Sequence, residues 1–136
     1  MVSLRGVVTT GLGQGGRFMA VDWVREGIRR LVGFDPYPGT LNVRLVEPAA
    51  LHAWRRISHD ATLRLDPPPP ETCGARLVLA TLMPDVAAAI VVPDVTGHGD
   101  DLLELVAAVH VRNHLGLQEH DPVTLQVPTM LAPGIR

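Results

Sequence analysis

The sequence predicts a small, mostly β protein folded as a single antiparallel barrel. The chain has 136 residues, the length of one domain, and 46% of them are hydrophobic, enough to bury a core. Short apolar or alternating runs occur along most of it, whereas helical periodicity is confined to a few segments. Strands that are not separated by regular helices favour antiparallel pairing over parallel βαβ units.

Most of the hydrophobic pattern in the sequence consists of short runs typical of β-strands. In Leu41–Leu45, Leu41, Val43 and Leu45 share one face, while Asn42 and Arg44 share the other. The prolines at positions 67–70 interrupt the chain as a surface loop, because proline cannot donate to a sheet ladder. The predicted strands span residues 5–10, 17–21, 41–45, 63–65, 76–82, 88–92 and 123–127.

Helices are predicted at three places. The clearest is Asp22–Val32, with Asp22 as N-cap and Gly33 as the residue that ends it. A second begins at Pro48 and runs to about Arg56, and a third ends at Gly116. Periodicity alone leaves residues 102–109 open between strand and helix.

Composition excludes several classes of function. A net charge of −2 gives no general attraction for nucleic acid or an anionic membrane. All twelve basic residues are arginine, so a P-loop, which needs a lysine, is excluded. The chain start lacks the pattern of a signal peptide, and the apolar run at residues 86–92 is too short to span a bilayer. The single Cys73 allows no intramolecular disulfide, so we expect a cytoplasmic protein.

A glycine-rich stretch follows the first strand. It has the spacing G-x-G-x-x-G and consists of Gly11, Leu12, Gly13, Gln14, Gly15 and Gly16. A dinucleotide fingerprint would lead directly into a helix, but residues 17–21 have the pattern of a strand. The stretch is therefore predicted to be a hairpin tip, either a plain turn or a loop whose backbone N–H groups hold phosphates.

The segment GFDPYPGTLNV delivers polar side chains to the start of a strand. Thr40 and Asn42 are two residues apart, so they point to the same side. A hydroxyl and an amide oxygen are hard, neutral ligands that suit Mg²⁺. The alternative is a threonine that stabilises the turn beside an asparagine that faces solvent.

Three stretches together identify a family. GLGQGGRFM, GFDPYPGTLNVRL and VVPDVTGHGDDLLELVAAVHVRNHLGL resemble, in this order, the archaeal-type CTP-dependent riboflavin kinases. The resemblance covers roughly residues 6–127, with 50–80 poorly matched. It implies a six-stranded cradle-loop (RIFT-like) barrel with a few short helices. It also implies that residues 102–106 form a strand and that a short helix begins near Val109.

The resemblance further implies a reaction and a site. The γ-phosphoryl group of CTP would pass to the 5′-hydroxyl of riboflavin, giving FMN and CDP. The glycine stretch would lie along the nucleotide, and Thr40 and Asn42 would bind Mg²⁺. Glu104 would contact the flavin and either accept the hydroxyl proton or orient the ribityl chain; its alternative is an exposed carboxylate. The remaining implied contacts are Thr96 to the flavin and Val109, His110, Val111 and Arg112 to the nucleotide.

Some features depart from the family or leave room for another function. The family often has proline where this chain has Ala108, and an Asp-Gly turn where it has Glu119 and His120. Arg112 either pairs with a phosphate or caps a helix. Rival functions are a non-catalytic flavin- or nucleotide-binding barrel, a kinase with another acceptor, and a zinc hydrolase. The zinc ligands would be His98, His110, His114 and Cys73.

The expected organisation is one riboflavin kinase-like domain over residues 1–136, with a flexible tail from about residue 129. CTP, CDP, riboflavin and FMN are the expected partners, with no nucleic acid and no membrane. The sequence does not determine the oligomeric state, and a monomer is the expectation.

Overall fold

The computed structural model describes residues 1–10, 19–94 and 101–128. Strands dominate these residues, which confirms the predicted fold class. The elements are β1 (Val2–Thr9), α1 (Asp22–Val32), β2 (Leu41–Leu45), α2 (Pro48–Asp60), β3 (Leu63–Leu65), β4 (Ala75–Leu82), β5 (Val86–Pro93), β6 (Leu102–Ala107), α3 (Val111–Leu115) and β7 (Pro122–Val127).

Six of the strands close into an antiparallel barrel. The order is β4-β5-β6-β2-β1-β7, and β7 returns to pair with the end of β4 through Gln126 with Thr81 and Leu125 with Leu82. The short β3 pairs with the start of β4 outside this ring. Because the ring is closed, each of the six strands has a neighbour on both sides along its paired residues. A small β protein avoids exposing unpaired backbone in this way.

The inside of the barrel is filled by every second residue of its strands. Leu4 and Val8 of β1 face Leu41, Val43 and Leu45 of β2, and all of them are buried. Alternation along a strand sends these side chains inward and their neighbours outward. Trp54 of α2 packs against this same cluster, so α2 covers part of the barrel.

A second apolar cluster lies outside the barrel wall. Val24 and Ile28 of α1 are buried against Leu77, Val91 and Val106, which belong to β4, β5 and β6. These strands are consequently apolar on both faces, which explains why their sequence reads as nearly continuous hydrophobic runs. The helix α1 therefore determines which part of the outer wall stays available for a ligand.

Gly6 allows β1 and β2 to approach closely. A Cβ built on Gly6 would lie 2.6 Å from the backbone oxygen of Arg44 and 2.7 Å from a methyl group of Val43. Neither a backbone oxygen nor a buried branched side chain has room to move away. Only glycine fits at this point of the barrel.

The predicted strand at residues 17–21 is wrong where the structure describes it. Met19 has helical backbone, and Ala20 and Val21 form a turn and a bend that lead into α1. Met19 is fully buried in the cluster beneath that helix. Both edges of β1 are occupied, by β2 and by β7, so a strand that follows β1 as a hairpin has no partner. Residues 17 and 18, like the glycine stretch itself, lie outside the described residues.

The helices differ from prediction mainly at their ends. Val21, not Asp22, is the N-cap of α1, and its carbonyl oxygen accepts from the N–H groups of Val24 and Arg25. Asp22 instead lies in the first turn, where its charge favours the helix dipole. The left-handed Gly33 ends α1 as predicted. The second helix continues past Arg56 to residue 60, and the third begins at residue 111, two residues after the expected start.

The prediction that residues 102–106 form a strand is confirmed by β6. The predicted tail from about residue 129 lies outside the described residues. No helix in the described ranges is both long enough and apolar enough to cross a membrane.

Candidate functional site

A pocket opens where the start of β2 meets the end of β6. Its volume is about 310 Å³. It contains five of the residues that the sequence analysis singled out: Thr40, Val109, His110, Val111 and Arg112. The remaining lining residues are Tyr37, Pro38, Gly39, Leu41, Leu105 and Ala107. The pocket thus joins two motifs that are far apart in the chain.

The turn before β2 is held against the end of β6. The backbone N–H of Tyr37 donates to the carbonyl oxygen of Ala107 at 2.7 Å, and the N–H of Gly39 donates to the carbonyl oxygen of Tyr37 at 2.8 Å. Pro36, just before them, is buried. Two prolines restrict the backbone of this turn, so Thr40 enters β2 from a fixed direction.

The polar residues of β2 and β6 meet on the outer face of the wall. Asn42 pairs with Glu104 across the two strands, and Glu104 pairs on its other side with Val91. Cross-strand partners point to the same face, with Cβ atoms about 4.5–5.5 Å apart. Both side chains are half-buried. Within the described part of the chain, neither the Asn42 amide nor the Glu104 carboxylate has a hydrogen-bond partner.

Thr40 and Asn42 provide oxygen donors of the kind that a magnesium ion prefers. Thr40 supplies a hydroxyl and Asn42 an amide oxygen, and both residues are half-buried. Mg²⁺ prefers hard oxygen ligands and retains positions for water or phosphate. Half-buried polar groups without protein partners are the ones that a ligand can satisfy. The donor set therefore agrees with the proposed metal site.

The helix α3 presents a histidine to the pocket. Its N-cap is His110, whose Nδ1 accepts from the backbone N–H of Asn113 at 3.3 Å. The imidazole also meets the ring of Tyr37 edge-on, with centroids 5.1 Å apart and planes at 74°. The helix ends at the left-handed Gly116, as predicted. His110 and Tyr37 together form an aromatic wall of the pocket.

Arg112 is the arginine that lines this pocket, and its side chain is directed by a carboxylate. Its Nη2 donates to Oε1 of Glu119 at 3.1 Å and, more weakly, to the carbonyl oxygen of Thr9 at 3.4 Å. The guanidinium of Arg112, together with the N–H of Thr10, holds the pKa of Glu119 below its usual range. The sequence left Arg112 open between phosphate pairing and helix capping; its side chain forms an ion pair with Glu119.

Two predicted contacts, Thr96 and the glycine stretch from Gly11 to Gly16, fall outside the described residues. The residues that flank the segment containing Thr96 are described. Asp94 binds both terminal nitrogens of Arg64, at 3.1 and 2.7 Å. Asp101 binds Nη1 of Arg44 at 2.6 Å. An arginine on a strand therefore holds the aspartate on each side of residues 95–100.

The rival zinc site has no support in the described residues. They contain no group of three or more histidine, cysteine, aspartate or glutamate residues placed to hold a metal ion. The Nδ1 of His110 is already used to cap α3, and His98 lies outside the described ranges.

A second, shallower groove runs over the outside of β1 and β7. Its volume is about 700 Å³, and Arg5, Glu47, Met83 and Pro84 are among its lining residues. It includes none of the candidate residues. This groove is larger, but Thr40, His110 and Arg112 line the smaller pocket. Asn42 and Glu104 do not line that pocket; they lie on the adjoining outer face of β2 and β6, next to its lining residues Leu41 and Leu105. We therefore place the functional site at the smaller pocket and this adjoining face.

Sequence reasoning missed two residues of this site, Tyr37 and Glu119. Tyr37 had a signal, because an aromatic residue in a rigid turn directly before Thr40 is placed near whatever that threonine binds. Glu119 had none as a site residue, since its partner Thr10 is 109 residues away in sequence.

Comparison with known proteins shows which family this chain belongs to. The family model CTP-dep_RFKase, described as "Domain of unknown function DUF120", matches residues 8–127. A riboflavin kinase of Pyrobaculum calidifontis is 38% identical over 93% of this chain and 60% of its own length. Riboflavin kinases of Thermofilum pendens and Saccharolobus solfataricus are 36% and 31% identical, each over 93% of this chain and over 59% and 74% of their own lengths. The chain thus spans about 60% of the length of the first two relatives. It belongs to the archaeal-type CTP-dependent riboflavin kinase family.

Proposed function

We propose that this protein is a magnesium-dependent riboflavin kinase that uses CTP. The 5′-hydroxyl oxygen of riboflavin forms a bond to the γ-phosphorus, and the bond from that phosphorus to the β–γ bridging oxygen breaks. The hydroxyl proton passes to a base, for which Glu104 is the candidate, and the products are FMN and CDP. The observation that best supports this proposal is the pairing of Asn42 with Glu104 beside the pocket that Thr40 and Arg112 line.

The roles divide according to the chemistry of each side chain. Thr40 and Asn42 would hold the magnesium ion, which supplies positive charge to the phosphate oxygens when bound. Glu104, a carboxylate one strand away from Asn42, is placed to accept the hydroxyl proton or to orient the ribityl chain. The phosphoryl group passes from CTP to the riboflavin hydroxyl, so the residues that would hold the metal and the carboxylate that would act on that hydroxyl must lie close together.

Arg112 supplies the fixed positive charge of the pocket. The chain contains no lysine, so an arginine must do what a lysine does in many kinases. Phosphoryl transfer depends mainly on positioning and charge neutralisation, and it needs little covalent participation by the protein. The aromatic wall of Tyr37 and His110 suits a planar ring of either substrate.

The choice of CTP as donor rests on the family. Relatives that cover the chain carry the name riboflavin kinase, and the matching family model carries the CTP-dependent designation. The partners that we propose are therefore CTP, CDP, riboflavin and FMN, bound by a protein of the cytoplasm.

A chromatographic assay tests acceptor and donor together. Purified protein is incubated with riboflavin, Mg²⁺ and one of CTP, ATP, GTP or UTP, and FMN is measured. FMN chiefly with CTP supports the whole proposal. FMN chiefly with another nucleotide retains the kinase and overturns the donor. Absence of FMN with every donor overturns the kinase, and binding of riboflavin or CTP without turnover would then indicate a non-catalytic barrel.

A further inference from the structure

One carboxylate connects the end of β1 to the arginine of the pocket. Oε2 of Glu119 accepts from the backbone N–H of Thr10 at 2.9 Å, and its Oε1 accepts from the Thr10 hydroxyl at 3.1 Å. The same Oε1 accepts from Nη2 of Arg112 at 3.1 Å. Three donors from two distant segments thus converge on a single side chain.

Glu119 is itself fixed by a tight turn. The N–H of Asp121 donates to the carbonyl oxygen of Gln118 at 3.1 Å, and a carboxylate oxygen of Asp121 accepts from the N–H of Gln118 at 2.8 Å. The turn is bonded to β1, because the N–H of His120 donates to the carbonyl oxygen of Val8 at 2.8 Å. The backbone that carries Glu119 is therefore fixed relative to β1, which is what a positioning group requires.

The contacts leave part of Arg112 available. A guanidinium has five N–H donors in a planar fork. The N–H groups of Nη2 are directed to Glu119 and to the carbonyl oxygen of Thr9. The N–H groups of Nε and Nη1 have no partner among the described residues. An arginine held at one nitrogen can offer its other donors to an anion with little loss of side-chain freedom on binding.

We propose that Glu119 is a positioning residue for the nucleotide: it directs Arg112 into the pocket and holds Thr10, the residue before the glycine stretch. This inference rests on the proposed function. A residue that only stabilised the fold would affect the binding of both substrates, whereas a positioning role for Glu119 predicts a change in the KM for CTP alone. This role also differs from direct contact, since a carboxylate facing a phosphate would repel it, whereas one already paired with Arg112 does not.

The test measures KM for each substrate separately in Glu119→Ala and Glu119→Gln, alongside the unaltered protein. We expect KM for CTP to rise about tenfold in Glu119→Ala, with KM for riboflavin and kcat within about twofold. Glu119→Gln should have a smaller effect, because an amide oxygen in the place of Oε1 still accepts from Arg112 and from the Thr10 hydroxyl. Glu26→Ala, which removes an exposed carboxylate paired with Arg29 on α1, is the matched control and should leave both KM values unchanged.

A double-mutant cycle separates positioning from independent effects. If Glu119 acts through Arg112, adding Glu119→Ala to Arg112→Ala should raise KM for CTP further by no more than about threefold, the part that passes through Thr10. An unchanged or lowered KM for CTP in both Glu119 variants overturns the inference while the kinase stands. Equal increases in both KM values also overturn it, since they indicate a general loss of structure. If the unaltered protein neither forms FMN nor binds CTP, the proposed function fails and this inference fails with it.

Discussion

Asn42 on β2 and Glu104 on β6 are direct cross-strand partners on the outer face of the barrel. An amide oxygen and a carboxylate are thereby held within one strand spacing, beside the pocket that receives Thr40 and Arg112. Within the described residues both side chains lack hydrogen-bond partners, so their polar groups are available to a ligand. The predictions below begin from this pair.

Removal of the Glu104 charge should lower turnover with little change in stability. In Glu104→Gln we expect kcat to fall by about 10²-fold, because the amide cannot accept the hydroxyl proton. The melting temperature should stay within about 2 °C, since the carboxylate makes no hydrogen bond with described residues. Steady-state FMN formation and a thermal melt measure the two effects. Full activity in Glu104→Gln would rule out a proton-accepting role.

Loss of either neutral oxygen ligand should weaken the use of magnesium. We expect Asn42→Ala and Thr40→Ala each to lower turnover by about tenfold or more and to raise the Mg²⁺ concentration needed for half-maximal activity. Gln126→Ala is the matched control, because Gln126 is also a half-buried polar residue on a barrel strand but lies away from the pocket. If both site variants keep normal activity and normal Mg²⁺ dependence, the metal assignment is wrong.

Asp94 should contribute stability that depends on pH. Its hydrogen bonds to Arg64 hold its pKa below the value of 3.8 that it has in an unfolded chain. As pH falls, the unfolded state therefore takes up a proton before the folded state, and folding loses this contribution. Asp94→Asn should melt about 2–4 °C below the unaltered protein at pH 7, and this difference should shrink as the pH falls from about 4 through the lowered pKa of Asp94. Asp85→Asn, at an exposed turn position, should show no such convergence. A difference that persists unchanged at pH 3 would contradict this assignment.

The turn that carries Glu119 contains a strained residue. His120 has φ of 70°, which is the left-handed region and costs a side-chain-bearing residue about 1–2 kcal/mol. His120→Gly should therefore raise the free energy of unfolding by about 0.5–1 kcal/mol after the greater chain entropy of glycine is included. Gln118→Gly in the same turn, where φ is not positive, should not stabilise the protein. Urea denaturation compares the two variants, and a loss of stability in His120→Gly would show that the imidazole makes a contribution larger than the strain.

Patterns within single segments correctly predicted those helices and strands whose formation depends mainly on their own residues. The alternation in Leu41–Leu45 and the periodicity of Asp22–Val32 each place apolar residues on one face, and both elements appear with those bounds. The spacing of Thr40 and Asn42 likewise predicted that their side chains point to the same side; their role as magnesium ligands stays a prediction. These inferences needed only the geometry of a single segment.

Such local patterns could not predict which distant segments would pair with one another. Residues 17–21 were predicted to form a strand, yet Met19–Val21 do not form one, because β2 and β7 already occupy both edges of β1. The run at 102–109 had no decisive period, because the end of β6 is buried on both faces, with Leu105 in the barrel core and Val106 beneath α1. In each case a non-local neighbour decided the outcome.

The sequence by itself determined a mostly β domain, a lysine-free site and the motifs that place the chain in its family. Tertiary structure alone decided that Glu104 lies opposite Asn42 and that Glu119 joins Thr10 to Arg112. The physical reason is that strand register and turn docking are set by closure of the whole barrel. No single segment contains the information about which residue will stand across from it.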